Sequence, residues 1–318
     1  MAAPETNPHR LYAPREHLVT WLTTSGTAGG SFAPTEAADY FFDRLRARSV
    51  VLESGVRVVR TTAARLAIPR VLGDATVSWT AEGEEITPSD PNADTITATP
   101  RALKALVYAS NELISDSNPD AQDVLADNLA KATALKLDLG LLEGTGTAPQ
   151  IRGLKNQSGI QTLSMGTDGA ALTNLDPFTD ALGMLEEADA TGTPAIVMHP
   201  RNWRALKKIK EATGSNKPVL VDGAGSPTEG VRRSFDGVPV WLTTQLSTAE
   251  TQGTATDANS IYVYDTTQVV VVMRQDATVT TDASAAFSSD RTAVRVVLRA
   301  DVVLPDPSGV VRIMGVKP

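Results

Sequence analysis

The stretch NPDAQDVLADNLAKATALKLDLGLLEGTG, residues 118–146, decides how the rest of the chain is read. Asn118 is a good N-cap, Pro119 suits the first helical position, and Asp120 and Asp123 complement the positive end of a helix. Leu125, Leu129, Ala132, Leu135, Leu139 and Leu142 recur at spacings of 4, 3, 3, 4 and 3, which makes one continuous apolar stripe. Gly144 supplies the stop at C′. The spacing predicts a helix over 119–143, a rod of roughly 37 Å at about 1.5 Å per residue.

Upstream of this helix the pattern is extended. Val56 and Val58 alternate with Arg57, and Leu66–Val71, Val77–Ala81 and Ile96–Thr99 read as strands. Between the last two lies a turn-rich segment almost free of apolar groups, in which Glu82, Glu84, Glu85, Asp90 and Asp94 put five negative charges into thirteen residues. It reads as the tip of a long two-stranded excursion into solvent or onto a neighbour. Pro34 opens an earlier helix, with Ala38, Phe41, Phe42 and Leu45 on one face. Residues 1–33, rich in Pro, Thr, Gly and Ala, read as an extended arm that orders only against something else.

Downstream, residues 150 to about 300 alternate short strands and helices. Ala195–His199 is a buried strand, and Arg201–Ala212 a helix with Trp203, Leu206 and Ile209 on one side. Val219–Val221, Val238–Leu242, Ile261–Tyr264, Gln268–Met273, Val294–Leu298, Val302–Leu304 and Val310–Ile313 read as further strands, and no internal repeat is visible.

Composition narrows the chemistry. The 318 residues contain no cysteine, which excludes a disulfide framework, a zinc ribbon and a thiol nucleophile. His9, His17 and His199 are too few and scattered for a His-rich metal centre. A formal net charge of −8 argues against a DNA-coating or membrane-surface protein. Apolar runs stop at about five residues against the ~20 of a membrane span, and the first residues contain no apolar signal segment. The expectation is a protein made and used in a cytoplasm, or in something assembled there.

No catalytic constellation emerges. Gly144-Thr145-Gly146 closes a helix, whereas a dinucleotide loop must open one. The segment from Gly223 to Gly225 lacks a following Gly-Lys-Ser/Thr, and no Gly-x-Ser-x-Gly elbow is present. His199 before Pro200 reads as structural. Glu82, Glu84 and Glu85 sit in a solvated tip, where neither carboxyl is desolvated for acid–base work. Arg201, Arg204, Lys207, Lys208 and Lys210 form a basic helix, read as a solvated face with weak phosphate contact as the lesser reading. The expectation is no catalytic residue, no metal and no cofactor. An arm, a long hairpin and a long helix bury little within one copy. They make physical sense if many copies interlock.

Particular residues carry a resemblance to a known family. Ala67-Ile-Pro-Arg-Val71, Ser78-Trp79-Thr-Ala-Glu82-Gly-Glu-Glu-Ile86 and Ser89-Asp-Pro91 are similar to the extended loop of the tailed-bacteriophage major capsid protein family, the Hong Kong 97-type shell protein. Thr99–Val107 with Ser110–Ser117 resembles its peripheral-domain strand and helix entry, 119–143 its spine helix, and Leu142–Gly146 with Gly153-Leu154 its turn out of the spine. Ala195–Pro200 resembles part of the axial domain, Phe235–Val240 a strand returning from it, and Asp290–Asp301 the last pass through the peripheral domain.

The resemblance implies an α+β fold, divided as arm 1–33, first helix and strand 34–64, extended loop 65–100, peripheral domain 101–150, axial domain 151–290 and a return to the peripheral domain over 291–318. It implies a structural, non-enzymatic protein whose hexamers and pentamers close an icosahedral shell around double-stranded phage DNA. The shell would form in the bacterial host cytoplasm and end in the virion. Implied partners are other copies, a separate scaffolding protein, a portal, a cement protein and non-specifically held DNA, with no membrane. An encapsulin-like nanocompartment is the nearest alternative, and a soluble α/β hydrolase or transferase a more distant one. The loop residues Trp79, Glu82, Glu84, Glu85, Asp90 and Asp94 are the expected contact with a neighbouring subunit. Arg44, Arg46, Arg48, Arg57, Arg60, Arg65 and Arg70 are its candidate receivers.

Two departures from the family pattern follow. An arm of thirty-odd residues is expected to leave no room for the helical scaffolding segment of many relatives. The family's prototype shell also joins subunits through a Lys–Asn bond with the lysine on the loop, whereas the first lysine here is Lys104, beyond it. Boiled particles are therefore expected to run as a single band at the 33.6 kDa of one chain on a denaturing gel. A ladder of multimers would contradict this.

Overall fold

The computed structural model describes residues 45, 48–73, 77, 79–81, 83, 85, 92–112, 120–190, 192–212, 215–219, 233–274 and 278–317. The arm over 1–33 and the helix opened by Pro34 lie outside them, apart from Leu45, which is helical and fully buried. The first elements are α1 (Val50–Glu53), β1 (Arg57–Thr61), β2 (Leu66–Gly73), β3 (Asn92–Ala98), β4 (Arg101–Ser110) and α2 (Asp120–Glu143). Then come β5 (Gln161–Ser164), β6 (Ala170–Ala171), α3 (Asp176–Glu187), β7 (Pro194–Met198), α4 (Pro200–Leu206), β8 (Ser234–Phe235) and β9 (Val238–Leu242). The last are β10 (Glu250–Gln252), β11 (Ala255–Asp265), β12 (Val270–Arg274), β13 (Thr278–Ala286), β14 (Arg291–Val303) and β15 (Val310–Lys317).

Two sheets organise these elements. In the five-stranded sheet β14 is the spine: β4 pairs along one edge, and β13 and then β12 along the other, with parallel β1 outside β12. The eight-stranded sheet has the order β5-β15-β11-β7-β9-β8, with β10 on β11 and β6 on β15. The chain thus passes from the eight-stranded to the five-stranded sheet between β11 and β12, and back between β14 and β15. These crossings differ from the sequence boundary at 290. They follow from hydrogen bonding between strands distant in sequence, which local patterns do not encode.

α2 covers one face of the five-stranded sheet, where Ala130, Ala134, Leu137 and Leu141 join a core with Val294, Val296 and Leu298 and the half-buried Leu103, Ala105 and Val107. Among its residues of described burial, the buried positions are Leu129, Ala130, Thr133, Ala134, Leu137, Asp138, Leu141 and Leu142, with the expected Leu125 outside them. That stripe is turned by about one residue from the expected one, and Ala132 is exposed while Leu135 and Leu139 are half-buried. The sheet demands close approach, so small side chains face it. A stripe traced through leucines alone also discards Asp138, which is fully buried.

The end of α2 has a different cause from the expected one. Gly144 N donates to Gly140 O at 3.0 Å, and Gly153 N donates to Gly144 O at 2.9 Å. Gly144 is absent from the glycines with positive φ, so no left-handed cap forms here. The two glycines instead lie back to back: a Cβ on Gly144 would stand 2.4 Å from Gly140 O, and one on Gly153 2.4 Å from Gly144 N.

The eight-stranded sheet is buried on both faces. Along β11, Tyr262 and Tyr264 join the core shared with α2, while Ile261 and Val263 join a second core with Phe178 and Leu185 of α3 and Trp203 and Leu206 of α4. This gives a strand without polar alternation, as double-sided burial requires. α4 is shorter than the expected 201–212. His199 caps it, with Nδ1 accepting from Arg201 N at 3.1 Å. After Leu206 the bonds tighten to Lys208 N to Ala205 O and Ile209 N to Leu206 O, and Lys210 bridges to Pro218. Val77, Trp79, Thr80, Ala81 and Val219 lie outside any strand. By contrast 294–298 and 302–303 fuse into β14, with Leu304 just past its end, because Arg299, Ala300 and Asp301 continue the ladder to β4 and β12.

Asp138 joins α2 to α1. Its carboxylate accepts from Ser49 Oγ at 2.6 Å, Val50 N at 3.0 Å and Val51 N at 3.3 Å. Burial pushes its carboxyl from 3.8 up to about 6, against the opposing pull of these three donors. Between those values the native state holds more protons than the unfolded chain. This group therefore contributes fully below pH ~4, and its contribution falls as pH rises through ~6 by about 3 kcal/mol. Urea unfolding of wild type and Asp138→Asn should show the stability difference shifting against wild type by that order from pH 4 to 7. A pH-independent difference would refute the coupling.

Candidate functional site

β2 and β3 form a two-stranded antiparallel hairpin of their own. Leu66 pairs with Ala98, Ile68 with Ile96 and Arg70 with Asp94, with a register shift between Val71 and Gly73. Leu66, Ile68 and Ile96 are half-buried and Ala98 is fully buried. They pack with Val270, Val272 and Val303 on the five-stranded sheet, so the hairpin's root is apolar and seated. Beyond the root the burial ends: Ala93, Asp94 and Thr95 are exposed, and past β2 Val77 and Trp79 are 92% and 105% exposed. A lone two-stranded hairpin is marginal in water, and a bare tryptophan leaves its large apolar surface uncovered.

A carboxylate clasps the root. Asp301 of β14 accepts from Thr99 N through Oδ2 at 2.7 Å and from Val302 N through Oδ1 at 2.9 Å. Burial raises its pKa, while these donors and the charges of Arg101 and Arg152 pull it back. The clasp fixes the corner between β3 and β4, so the hairpin leaves the body in one direction.

The expected contact residues distribute as follows. Trp79 and Glu85 are exposed beyond β2, whereas Glu82, Glu84 and Asp90 lie outside the described residues. Asp94 has a partner within its own hairpin: Arg70 Nη2 stands 2.6 Å from its Oδ2. Arg70 and the backbone N–H of Thr95 hold the Asp94 carboxyl below its ordinary value. Arg48 pairs with Asp127 of α2 at 3.3 Å. Arg57, Arg60 and Arg65 are exposed around the hairpin's root, and Arg44 and Arg46 lie outside the described residues.

A second uncovered surface escaped the sequence reading. On the face of the five-stranded sheet away from α2, Leu106 and Tyr108 of β4 are 54% and 50% exposed. The register sets Leu106 beside Arg295 and Ala102 beside Arg299. The signal lies in Leu103-Lys104-Ala105-Leu106-Val107-Tyr108, where both faces of one strand carry apolar residues. One face meets α2, and the other is left exposed.

Elsewhere the polar clusters support structure. Glu250 accepts from Lys155 Nζ, from Ser260 Oγ at 2.5 Å and from Arg312 Nη2 at 3.2 Å, and its pKa is lowered despite burial. Asn202 and Asn259 exchange reciprocal amide bonds at 3.1 and 3.0 Å between α4 and β11. Among the described residues no group of three or more His, Asp or Glu is placed to hold a metal ion.

Comparison with known proteins agrees with this architecture. The phage capsid family model matches residues 29–314. The major capsid protein of Klebsiella oxytoca phage phiKO2 is 22% identical over 208 residues, 64% of this chain and 49% of its own length. The major capsid protein of Enterobacteria phage HK97 is 27% identical over 118 residues, 37% of this chain and 30% of its own length. The chain thus spans about half or less of the curated relatives' lengths. Among solved structures, the capsid of an empty GTA particle superposes with a TM-score of 0.67 at 19% identity, covering 92% of this chain and 94% of the other. An α+β fold shared over nearly its whole length, and a family match over almost all its residues, identify the chain as a member of the phage capsid family.

Proposed function

We propose that this chain is the major shell protein of a tailed phage, structural and without catalytic chemistry. In this reading hexamers and pentamers close an icosahedral shell around double-stranded DNA. The five-stranded sheet with α2 serves as the peripheral domain and the eight-stranded sheet with α3 and α4 as the axial domain. A scaffolding protein, a portal and a cement protein complete the partner set, and assembly takes place in the host cytoplasm. The observation that carries the reading is the seated hairpin with Trp79 bare at 105% exposure. No described residue of its own chain covers that ring, and a neighbouring copy can. Negative-stain microscopy of the expressed chain tests the reading: closed, regular shells support it, and monodisperse monomers under all conditions refute it.

Trp79→Ala should leave circular dichroism unchanged, because the ring packs on nothing described within its own chain. Closed particles should form only at protein concentrations raised about tenfold or more, the effect of an interface anchor worth ~2 kcal/mol. Replacing Glu82, Glu84 and Glu85 together with lysine should make shells rare or salt-sensitive at unchanged fold. Normal shell yield at low and high salt would reduce the acidic tip to a solvated turn.

Contact with DNA should be weak and indifferent to sequence, given the net charge of −8 per copy. Purified subunits should give no sequence-dependent shift with short duplexes at physiological salt. Tight, sequence-selective binding would refute this part of the reading.

A further inference from the structure

α4 and the turn after it carry a cluster of cations that nothing in the shell reading uses. Arg201, Arg204, Lys208 and Lys210 line one groove of 840 Å³, with His199 in the same lining. Ala171 of β6, Leu172, Thr173 and Thr248 supply the rest of the wall together with Ala205 and Ile209, and no carboxylate lines it among the described residues. In a chain of net charge −8 such a concentration of one sign is unusual.

The described acids nearby do not neutralise it. Glu211 is drawn away to Lys217, 2.7 Å distant. Asp257 offers its main-chain oxygen, which accepts from Arg201 Nη2 at 2.9 Å. That bond fixes the guanidinium but leaves Arg201 Nε buried, with no acceptor among the described residues. Arg204 and Lys208 are exposed, and no ion pair holds either of them among the described residues. Lys210 Nζ makes one bond, to Asn216 O at 3.1 Å. His199 registers the resulting field: its pKa lies below the ordinary imidazole value, first through burial and then through Arg201 and Arg204.

We propose that this groove binds a compact polyphosphate anion through Arg201, Arg204, Lys208 and Lys210. Planar guanidinium donors and mobile ammonium groups match the several oxygens of linked phosphates. The volume falls within the range of small-ligand sites, roughly 300–1,000 Å³. A nucleic-acid duplex fits less well. It carries a charge about every 1.7 Å over its whole length and would have to meet the acidic remainder of the chain, while a compact anion meets the groove alone. The inference stands whether or not the chain builds a shell.

Calorimetric titration of tripolyphosphate into the full-length protein at physiological salt tests it. Wild type should bind with measurable heat, and Arg204→Gln/Lys208→Gln should bind about tenfold more weakly or worse, for the loss of two charge-assisted contacts. Lys131→Gln, an exposed charge on α2, should bind as wild type does. Orthophosphate should bind more weakly than tripolyphosphate, and a short duplex should not displace it. If the double variant loses its circular dichroism, Arg204→Gln and Lys208→Gln singly carry the test, each with a smaller loss. The proposal is overturned by absence of binding at millimolar tripolyphosphate, by equal weakening in Lys131→Gln, or by displacement by duplex.

Discussion

The buried carboxylate of Asp138 is the constraint on which the arrangement of layers depends. It accepts three hydrogen bonds from Ser49, Val50 and Val51 and so holds α1 against α2. On its other side α1 meets the second sheet, where Ser54 Oγ and Tyr264 Oη lie 2.7 Å apart in a buried hydrogen bond. Four helical residues thus stand inside one core, touched by a helix on one side and a strand on the other. Gly55, at φ 95°, then turns the chain directly into β1. β1 pairs with β12, and β12 carries the valines on which the hairpin's root is seated. The seat of the exposed hairpin is therefore tied, through a short relay, to a charge remote from it in sequence.

Such a charge is costly to bury and is tolerated only when its lone pairs are filled. Three donors meet that requirement at Asp138, and the Glu250 cluster meets it with two cations and a hydroxyl. Both clusters join elements remote in sequence, so each works as a specific fastening inside cores that are otherwise aliphatic. With aromatics at only 5% of the chain, shape alone offers few large side chains to fix register. Hydrogen-bonded polar groups supply that definition instead.

What the sequence reveals and what it hides follow from the range of the forces involved. The extent of α2 is legible because leucine spacing acts within a few residues, while Asn118 and Pro119, expected at its start, lie outside the described residues. Its facing is not, because Ala130 and Ala134 are chosen by a sheet that includes the distant β14, and Asp138 by α1, which lies far upstream. The hairpin is legible from an acidic, turn-rich segment flanked by β-formers. The pairing of Arg70 with Asp94 is not, since it depends on register across the loop. The outer face of β4 sits between these cases. Its apolar alternation is plain in the sequence, yet only the position of α2 tells which half stays uncovered.

The long ladder between β4 and β14 has a mechanical meaning. Ten consecutive residue pairs, from Arg291 with Ser110 to Ala300 with Arg101, run without a break up to the corner from which the hairpin leaves. A pull on the hairpin is delivered through the corner clasped by Asp301 and then lengthwise along β4. In that direction the pairs are loaded side by side and must yield together, whereas a pull across the strands would part them one at a time. The hairpin is thus fastened as a tension member, stiff along its length, in the manner of a strap sewn to a rigid plate along a whole seam.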